Sequence, residues 1–292
     1  MSDTPKQIRS WMFVPGDKQR FLDKSEVSAA DVVMFDLEDG VIFSQKPEAR
    51  QMVKAHLNKK PWSGPLRYVR VNAPSTGLTA EDIMTVASPG LDGICLTKVE
   101  SPRDVVRAVG MLEAAEQDRG IPAGQIRILA AIESANALHQ AVEIAKTHER
   151  IIGLIFGAED YALDIALPAN RVAEASELMH ARSVIVNAAA AARVFSVDGV
   201  FPNLEDSDGL LADAIQARRL GFTSKSTFNP RQIEMLNEQF SPTADEIAYA
   251  QKVAGAFKEA KERGDASVAV GGQLVDLPIV MRAIRLLEAA GA

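Results

Sequence analysis

Cysteine is nearly absent. Cys95 is the only one in 292 residues, which excludes an intrachain disulfide framework and a cysteine-based zinc site. It lies in the apolar run Gly93-Ile94-Cys95-Leu96, where a buried, inert thiol is expected rather than a nucleophile. Basic runs are missing as well. Acidic side chains outnumber basic ones, 39 to 32, for a formal net charge of −7. No cationic stripe is available to a phosphate backbone, so nucleic-acid binding is not expected. No apolar run approaches a membrane span, and Met1 to Arg9 is short and polar, unlike a signal peptide. These features predict a soluble, cytoplasmic protein without a membrane role. Four motifs are also lacking. There is no G-x-G-x-x-G after the first strand, no G-x-x-x-x-G-K-[ST], no H-E-x-x-H and no G-x-S-x-G. Dinucleotide, P-loop, zincin and serine-hydrolase chemistry are therefore not indicated. His56, His139, His148 and His180 fall in helical stretches, where surface positions are expected rather than metal ligation.

What is present is apolar patterning. Hydrophobic residues make up 47% of the chain, enough for a large core, and the length suits one α/β barrel or two smaller domains. Strand-like runs occur at Met12–Val14, Val32–Leu37, Arg67–Asn72, Gly93–Thr97, Ile126–Ile132, Ile151–Phe156, Val197–Phe201 and Phe222–Phe228. Ser and Lys interrupt the last of them. Helical stretches alternate with these runs, at Lys18–Ser28, Pro47–Leu57, Thr79–Ala87, Pro102–Arg119, Ala135–Lys146, Arg171–Arg193 and Asp208–Leu220. Eight strands alternating with helices over short connections predict a (β/α)₈ TIM barrel across residues 1–240. A doubly wound open sheet is the alternative. From 241 to 292 the pattern changes to a C-terminal extension. Thr243 and Glu246 form a capping-box pair, a helix runs to Arg263, Gly271-Gly272 marks a hairpin, and a last helix spans Pro278–Ala289.

In such a barrel all strand C-termini open on one face, where active sites sit. Strand two presents Asp36, Glu38 and Asp39 there; strand three presents Arg70 and Asn72; strand four presents Lys98. Strand five ends in Glu133 and strand six in Glu159 and Asp160. Glu133 and Asp160, from neighbouring strands, repel unless a cation lies between them. A divalent ion is the simplest candidate, since Mg²⁺ takes one or two protein carboxylates plus water and substrate oxygens. The plainer reading of either acid is a helix cap. Arg70 offers a fork for a substrate carboxylate, or a salt bridge to Glu38 or Asp39. Lys98 is equally an internal ion pair or a substrate contact.

Several uncommon strings carry a resemblance. They are Arg9-Ser10-Trp11-Met12-Phe13-Val14-Pro15-Gly16, Phe35-Asp36-Leu37-Glu38-Asp39, Val69-Arg70-Val71-Asn72 and Ala130-Ala131-Ile132-Glu133-Ser134. Gly157-Ala158-Glu159-Asp160-Tyr161, Asn229-Pro230-Arg231-Gln232-Ile233 and Gln273-Leu274-Val275-Asp276 continue the series. From Arg9 to Arg285 the chain resembles the β-subunit of bacterial citrate lyase and its stand-alone relatives, within the HpcH/HpaI aldolase superfamily. The resemblance implies a TIM barrel, Mg²⁺ on Glu133 and Asp160, and Arg70 on a substrate carboxylate. It implies cleavage or formation of a C–C bond between a 2-oxo acid and an acetyl-type thioester. Citryl-, malyl- and citramalyl-thioesters on coenzyme A or an acyl carrier protein are the substrates of such enzymes. It also implies a homotrimer in which Asp276 reaches a neighbouring subunit's site as acid/base; the plainer role for Asp276 is a cap on the last helix. Two other activities fit the same site, a malyl-type thioesterase and a malate-synthase-like condensing enzyme. A third possibility is a carrier-protein-dependent subunit of a citrate lyase complex. Asn229-Pro230 stands where many stand-alone relatives have His-Pro, and Leu167-Pro168-Ala169-Asn170 departs from the family pattern.

Overall fold

The structure is a computed structural model, which describes residues 7–168 and 175–292. Eight parallel strands close on themselves: β1 (Ser10–Pro15), β2 (Val32–Asp36), β3 (Leu66–Val71), β4 (Gly93–Leu96), β5 (Arg127–Ile132), β6 (Ile151–Phe156), β7 (Phe195–Asp198) and β8 (Ser224–Thr227). The last strand returns to the first through Ser10↔Lys225, Trp11↔Ser226 and Met12↔Thr227. The intervening helices are α1 (Gln19–Ser25), α2 (Lys46–Leu57), α3 (Thr79–Val86), α4 (Pro102–Arg119), α5 (Ala135–His139), α6 (Ala141–Lys146), α7 (Ala158–Asp164), α8 (Met179–Ala192) and α9 (Ser207–Leu220). This is the expected TIM barrel, and it excludes the open sheet.

Alternation along each strand builds the interior. Trp11 and Phe13, Val32 and Met34, Tyr68, Cys95, Leu129 and Ala131, Ile155 and Val197 form one buried cluster. Large and small residues are matched within it. The Trp11 and Tyr68 rings meet edge to face at 5.0 Å. Tyr68 fits only because Gly93 faces it; a Cβ there would come within 2.2 Å of the Tyr68 ring. The next inward position above this core is charged on three strands: Asp36 follows Met34, Arg70 follows Tyr68 and Glu133 follows Ala131.

Several boundaries differ from the sequence-based expectation. β7 is Phe195–Asp198 rather than Val197–Phe201, because Gly199 leaves the sheet where a Cβ would meet the Phe156 carbonyl at 2.9 Å. β8 is shorter than expected, and its polar residues have buried partners. Lys225 Nζ lies 2.5 Å from Asp198 and 2.6 Å from Asp213, while Arg182 bonds the same two aspartates at 2.7 and 3.1 Å. All four side chains are almost fully buried, and two charges of each sign cancel. The Ala135–Lys146 stretch breaks at Gln140 into α5 and α6. The expected Arg171–Arg193 helix is seen as α8 after a 3₁₀ turn at Ser176–Leu178; its residues 171–174, like residues 169 and 170 of the Leu167–Asn170 stretch, lie outside the described residues. His139 and His180 are exposed and His148 lies just past α6, but His56 is buried. Its ring meets Phe35 and Trp62 edge-on, and burial pushes it down to about 4.

The described residues divide into two compact units, Ile8–Glu238 and the C-terminal stretch Gln239–Ala292 together with Gln7. Helix α10 (Ile233–Gln239) runs to the start of the second. In that unit α11 (Ala244–Glu262), the hairpin β9 (Val268–Val270)–β10 (Gln273–Val275) and α12 (Leu277–Ala290) share a core of Ala250, Val253, Val270, Val275, Val280 and Ala283. Thr243 and Glu246 form the capping box. Gly271 and Gly272 both take the positive φ of a tight hairpin turn. Among the described residues no helix is long and apolar enough to cross a membrane.

Candidate active site

Glu38, Asp39, Arg70, Lys98, Glu133 and Asp160 meet at the C-terminal mouth of the barrel. Glu133 follows β5 and is buried. The plainer reading of it as a helix cap does not hold: Ser134 caps α5 by accepting the Ala137 N–H. Glu133 Oε2 instead accepts the Lys98 N–H at 2.5 Å. Gly157, after β6, makes room for it; a Cβ there would stand 2.4 Å from Glu133 Oε1. Burial pushes the Glu133 carboxyl up to about 7, and the Asp160 and Glu38 charges add to this against the Lys98 hydrogen bond. A carboxyl held near neutrality in a cleft is a recurrent mark of function. Asp160 sits in the first turn of α7, about one-third exposed.

Arg70 is more constrained than its sequence position suggests. Its Nε and Nη2 donate to the two oxygens of Asp36 at 2.8 and 2.6 Å, and Nη1 lies 3.2 Å from Glu38 Oε2. Asp36 is in turn fixed by the N–H groups of Glu38 and Gly40. The guanidinium stands 4.8 Å over the Phe13 ring, and the acids around it outweigh its burial, so its charge is held more firmly than usual. The expected pairing with Glu38 is present. The dominant partner is Asp36, a role sequence reasoning missed, although its parity with Met34 places it on the same inner face. Lys98 Nζ reaches Glu38 at 2.8 Å, Asp39 at 3.2 Å and Asp160 at 3.5 Å. Burial alone would lower its pKa; the Glu38 bond and the three acids outweigh that and raise it. Burial likewise raises Glu38 and moves the Cys95 thiol far up, as expected of an inert cysteine.

Two cavities meet at Glu133 and Asp160. One of about 320 Å³ runs down to Arg70, Cys95 and Ser226, walled by Phe13 and Phe228. The other, about 560 Å³, opens outward past Pro74, Ser75, Lys98, Arg107, Leu163 and Asp164. Glu133 and Asp160 therefore sit where an inner pocket that reaches Arg70 joins a wider outer groove edged by Lys98. Pro74, Ser75 and Arg107 carry no motif that marks them in the sequence. Among the described residues no group of three or more His, Cys, Asp or Glu side chains forms a complete metal cage. The Gly157 N–H at this turn donates to the Ile132 carbonyl at 3.0 Å. Asn229 accepts the Arg231 N–H and so caps the turn Pro230–Gln232. Asp276, in the C-terminal unit, is exposed and caps α12 by accepting the Ile279 N–H.

Residues 9–230 match the HpcH/HpaI aldolase/citrate lyase family. The chain belongs to this family. It is a lyase, and relatives agree over nearly its whole length. It is 39% identical over 284 residues to citrate lyase subunit beta of Leuconostoc mesenteroides subsp. cremoris, covering 97% of this chain and 93% of that one. It is 33% identical over 294 residues to a (3S)-malyl-CoA thioesterase of Cereibacter sphaeroides, covering 100% and 98%. The solved structure of a citrate lyase beta subunit from M. tuberculosis, complexed with oxaloacetate and magnesium, superposes with a TM-score of 0.68 at 29% identity, covering 83% of this chain and all of that one.

Proposed function

We propose that this lyase is Mg²⁺-dependent and splits a 3-hydroxy-3-carboxy acyl thioester into an acetyl-type thioester and a 2-oxo acid. The observation that carries this reading is the buried Glu133 carboxyl, raised to about 7, beside Asp160 at the junction of the two cavities. Glu133 and Asp160 would hold the cation, with substrate and water oxygens completing its shell. When bound, it supplies Lewis-acid polarisation of the substrate's hydroxyl and carboxylate oxygens. The magnesium and oxaloacetate in the M. tuberculosis relative support this assignment.

The inner pocket suits the acid portion. Arg70, locked by Asp36, presents its remaining N–H groups to the substrate carboxylate without having to reorganise. The outer groove suits the thioester arm, on coenzyme A or an acyl carrier protein. In cleavage the bond between the carbinol carbon and the thioester α-carbon breaks. The hydroxyl gives its proton to solvent and becomes the keto group, and the electron pair of the broken bond passes to the α-carbon. Asp276 of a neighbouring subunit in a cytoplasmic homotrimer would protonate that carbon, or remove the proton in synthesis. Its exposure, flanked by Leu274 and Leu277 at 68% and 58% exposed, supports a role for this edge against another chain.

The malyl-CoA thioesterase relative favours a second reading, hydrolysis of the thioester on the same site. One assay separates the two. The purified chain is incubated with Mg²⁺ and malyl-, citramalyl- or citryl-coenzyme A. EDTA-sensitive release of glyoxylate, pyruvate or oxaloacetate is expected; release of free hydroxy acid without a 2-oxo acid would replace the lyase reading with the thioesterase one.

A further inference from the structure

Lys98 touches both carboxylates of the candidate metal pair, by two different means. Its backbone takes φ +47, a left-handed conformation that non-glycine residues mostly avoid and that persists where the surroundings demand it. That turn aims the Lys98 N–H at Glu133 Oε2 (2.5 Å). It also sends the side chain back over the mouth to Glu38, Asp39 and Asp160. The two contacts differ in kind. The first is short and fixed by the main chain; it occupies one carboxylate oxygen and holds Glu133 in place. The second, to Asp160, is the longest of the three ammonium contacts, and the side chain is one-third exposed. Of the other cations lining the two cavities, Arg70 is committed to Asp36 and Glu38, and among the described residues no ion pair joins Arg107 to Asp160. Among the described residues Lys98 is thus the cation within ion-pair distance of Asp160, and its ammonium is shared with Glu38 and Asp39.

We infer that Lys98 is a resident counter-cation: its main chain positions Glu133, and its ammonium neutralises Asp160 until a divalent ion displaces it. The inference rests on the proposed function, in that it takes Glu133 and Asp160 as the metal pair. Two consequences follow from charge alone. The ammonium and the incoming ion compete for Asp160 and repel each other within a few ångströms, a term worth roughly tenfold in affinity even at water-like dielectric. Without the ammonium the metal-free mouth is also less stable.

The test is Mn²⁺ binding, followed by loss of the free-ion EPR signal, on the native chain and on Lys98→Met, Lys98→Gly and Lys98→Arg. Glycine accepts the left-handed φ, so Lys98→Gly keeps the turn if the methionine variant fails to fold. The expected result is Mn²⁺ affinity about tenfold tighter in the methionine and glycine variants and within about twofold of native in the arginine variant. The Mn²⁺-induced rise in Tm should be larger than in the native chain. Unchanged or weaker affinity in folded Lys98→Met and Lys98→Gly would overturn the inference and leave the metal pair standing. A native chain that binds no Mn²⁺ would overturn the metal pair and the inference together.

Discussion

Gly157→Ala isolates the geometry of Glu133 from its chemistry. The native φ at Gly157 is −89°, which alanine adopts without strain, so the backbone gives no reason for the variant to unfold; losing glycine would even stabilise by about 0.4–1 kcal/mol through the unfolded chain. The new methyl, however, would stand 2.3 Å from Glu133 Cγ, 2.4 Å from Oε1 and 2.8 Å from Cδ. Ordinary contact needs more than 3.4 Å, so the carboxylate must retreat by about 1 Å. A misplacement of that size costs on the order of 10²-fold where a site depends on preorganisation. Mn²⁺ affinity and kcat/KM should each fall about a hundredfold while the Tm stays within a few degrees of native. Titration by EPR and a thermal melt on one preparation decide the matter. A folded Gly157→Ala with native metal affinity would refute the assignment of Glu133, because no metal ligand tolerates being pushed that far.

Glu133 also dictates a pH dependence. Its folded pKa of about 7 lies above the unfolded value, so the folded state holds a proton the unfolded state has lost. Its contribution is therefore full below about pH 4.5 and is lost as pH rises through 7, about 3 kcal/mol across the window. Urea melts in EDTA should show this slope in the native chain and not in Glu133→Gln; equal slopes would dissociate the group from the effect. Asp36→Asn removes the carboxylate that clamps the nearly buried Arg70. It should lower stability by about 3 kcal/mol and raise KM far more than it lowers metal affinity; an unchanged KM would remove Arg70 from substrate binding. Asp276→Asn should keep Mn²⁺ binding and lose at least a hundredfold in kcat. Mixed oligomers of Asp276→Asn and Gly157→Ala chains should regain activity if the acid serves a neighbour's site, whereas failure of complementation would confine Asp276 to its own chain or to capping.

The barrel was legible because eight apolar runs of strand length alternate with helical stretches, and because Asp36, Arg70 and Glu133 extend the inward parity of Met34, Tyr68 and Ala131. Glu133 and Asp160 could be paired from adjacency alone, since neighbouring strands in a parallel barrel end side by side. Other features depend on side-chain choices that no local pattern records. Arg70 had three acids within reach in sequence, and the bidentate fit to Asp36 is decided by the turn that Glu38 and Gly40 N–H groups fix around it. The left-handed turn at Lys98 has no glycine or asparagine to announce it. Ser and Lys read as interrupting β8 because Lys225 is counted as polar when its partners are unseen, and His56 read as surface for the same reason. Gln140 interrupts a stretch whose composition would carry a continuous helix.

The buried quartet of Arg182, Asp198, Asp213 and Lys225 has a consequence for how the ring closes. β7 and β8 share only the pairs Val197↔Ser224 and Asp198↔Lys225, a short ladder with little main-chain authority over alignment. A slip of β8 by a single residue would turn Lys225 into the interior, towards the floor of the inner cavity where Ser226 now lies, and would strand two aspartates and an arginine outside it. Apolar side chains would tolerate such an error far better than these charges do. The quartet therefore acts as a proofreading device at the seam. It admits one alignment of the final strand and so delivers Ser226 and Phe228 to the inner cavity in register with the rest of the mouth.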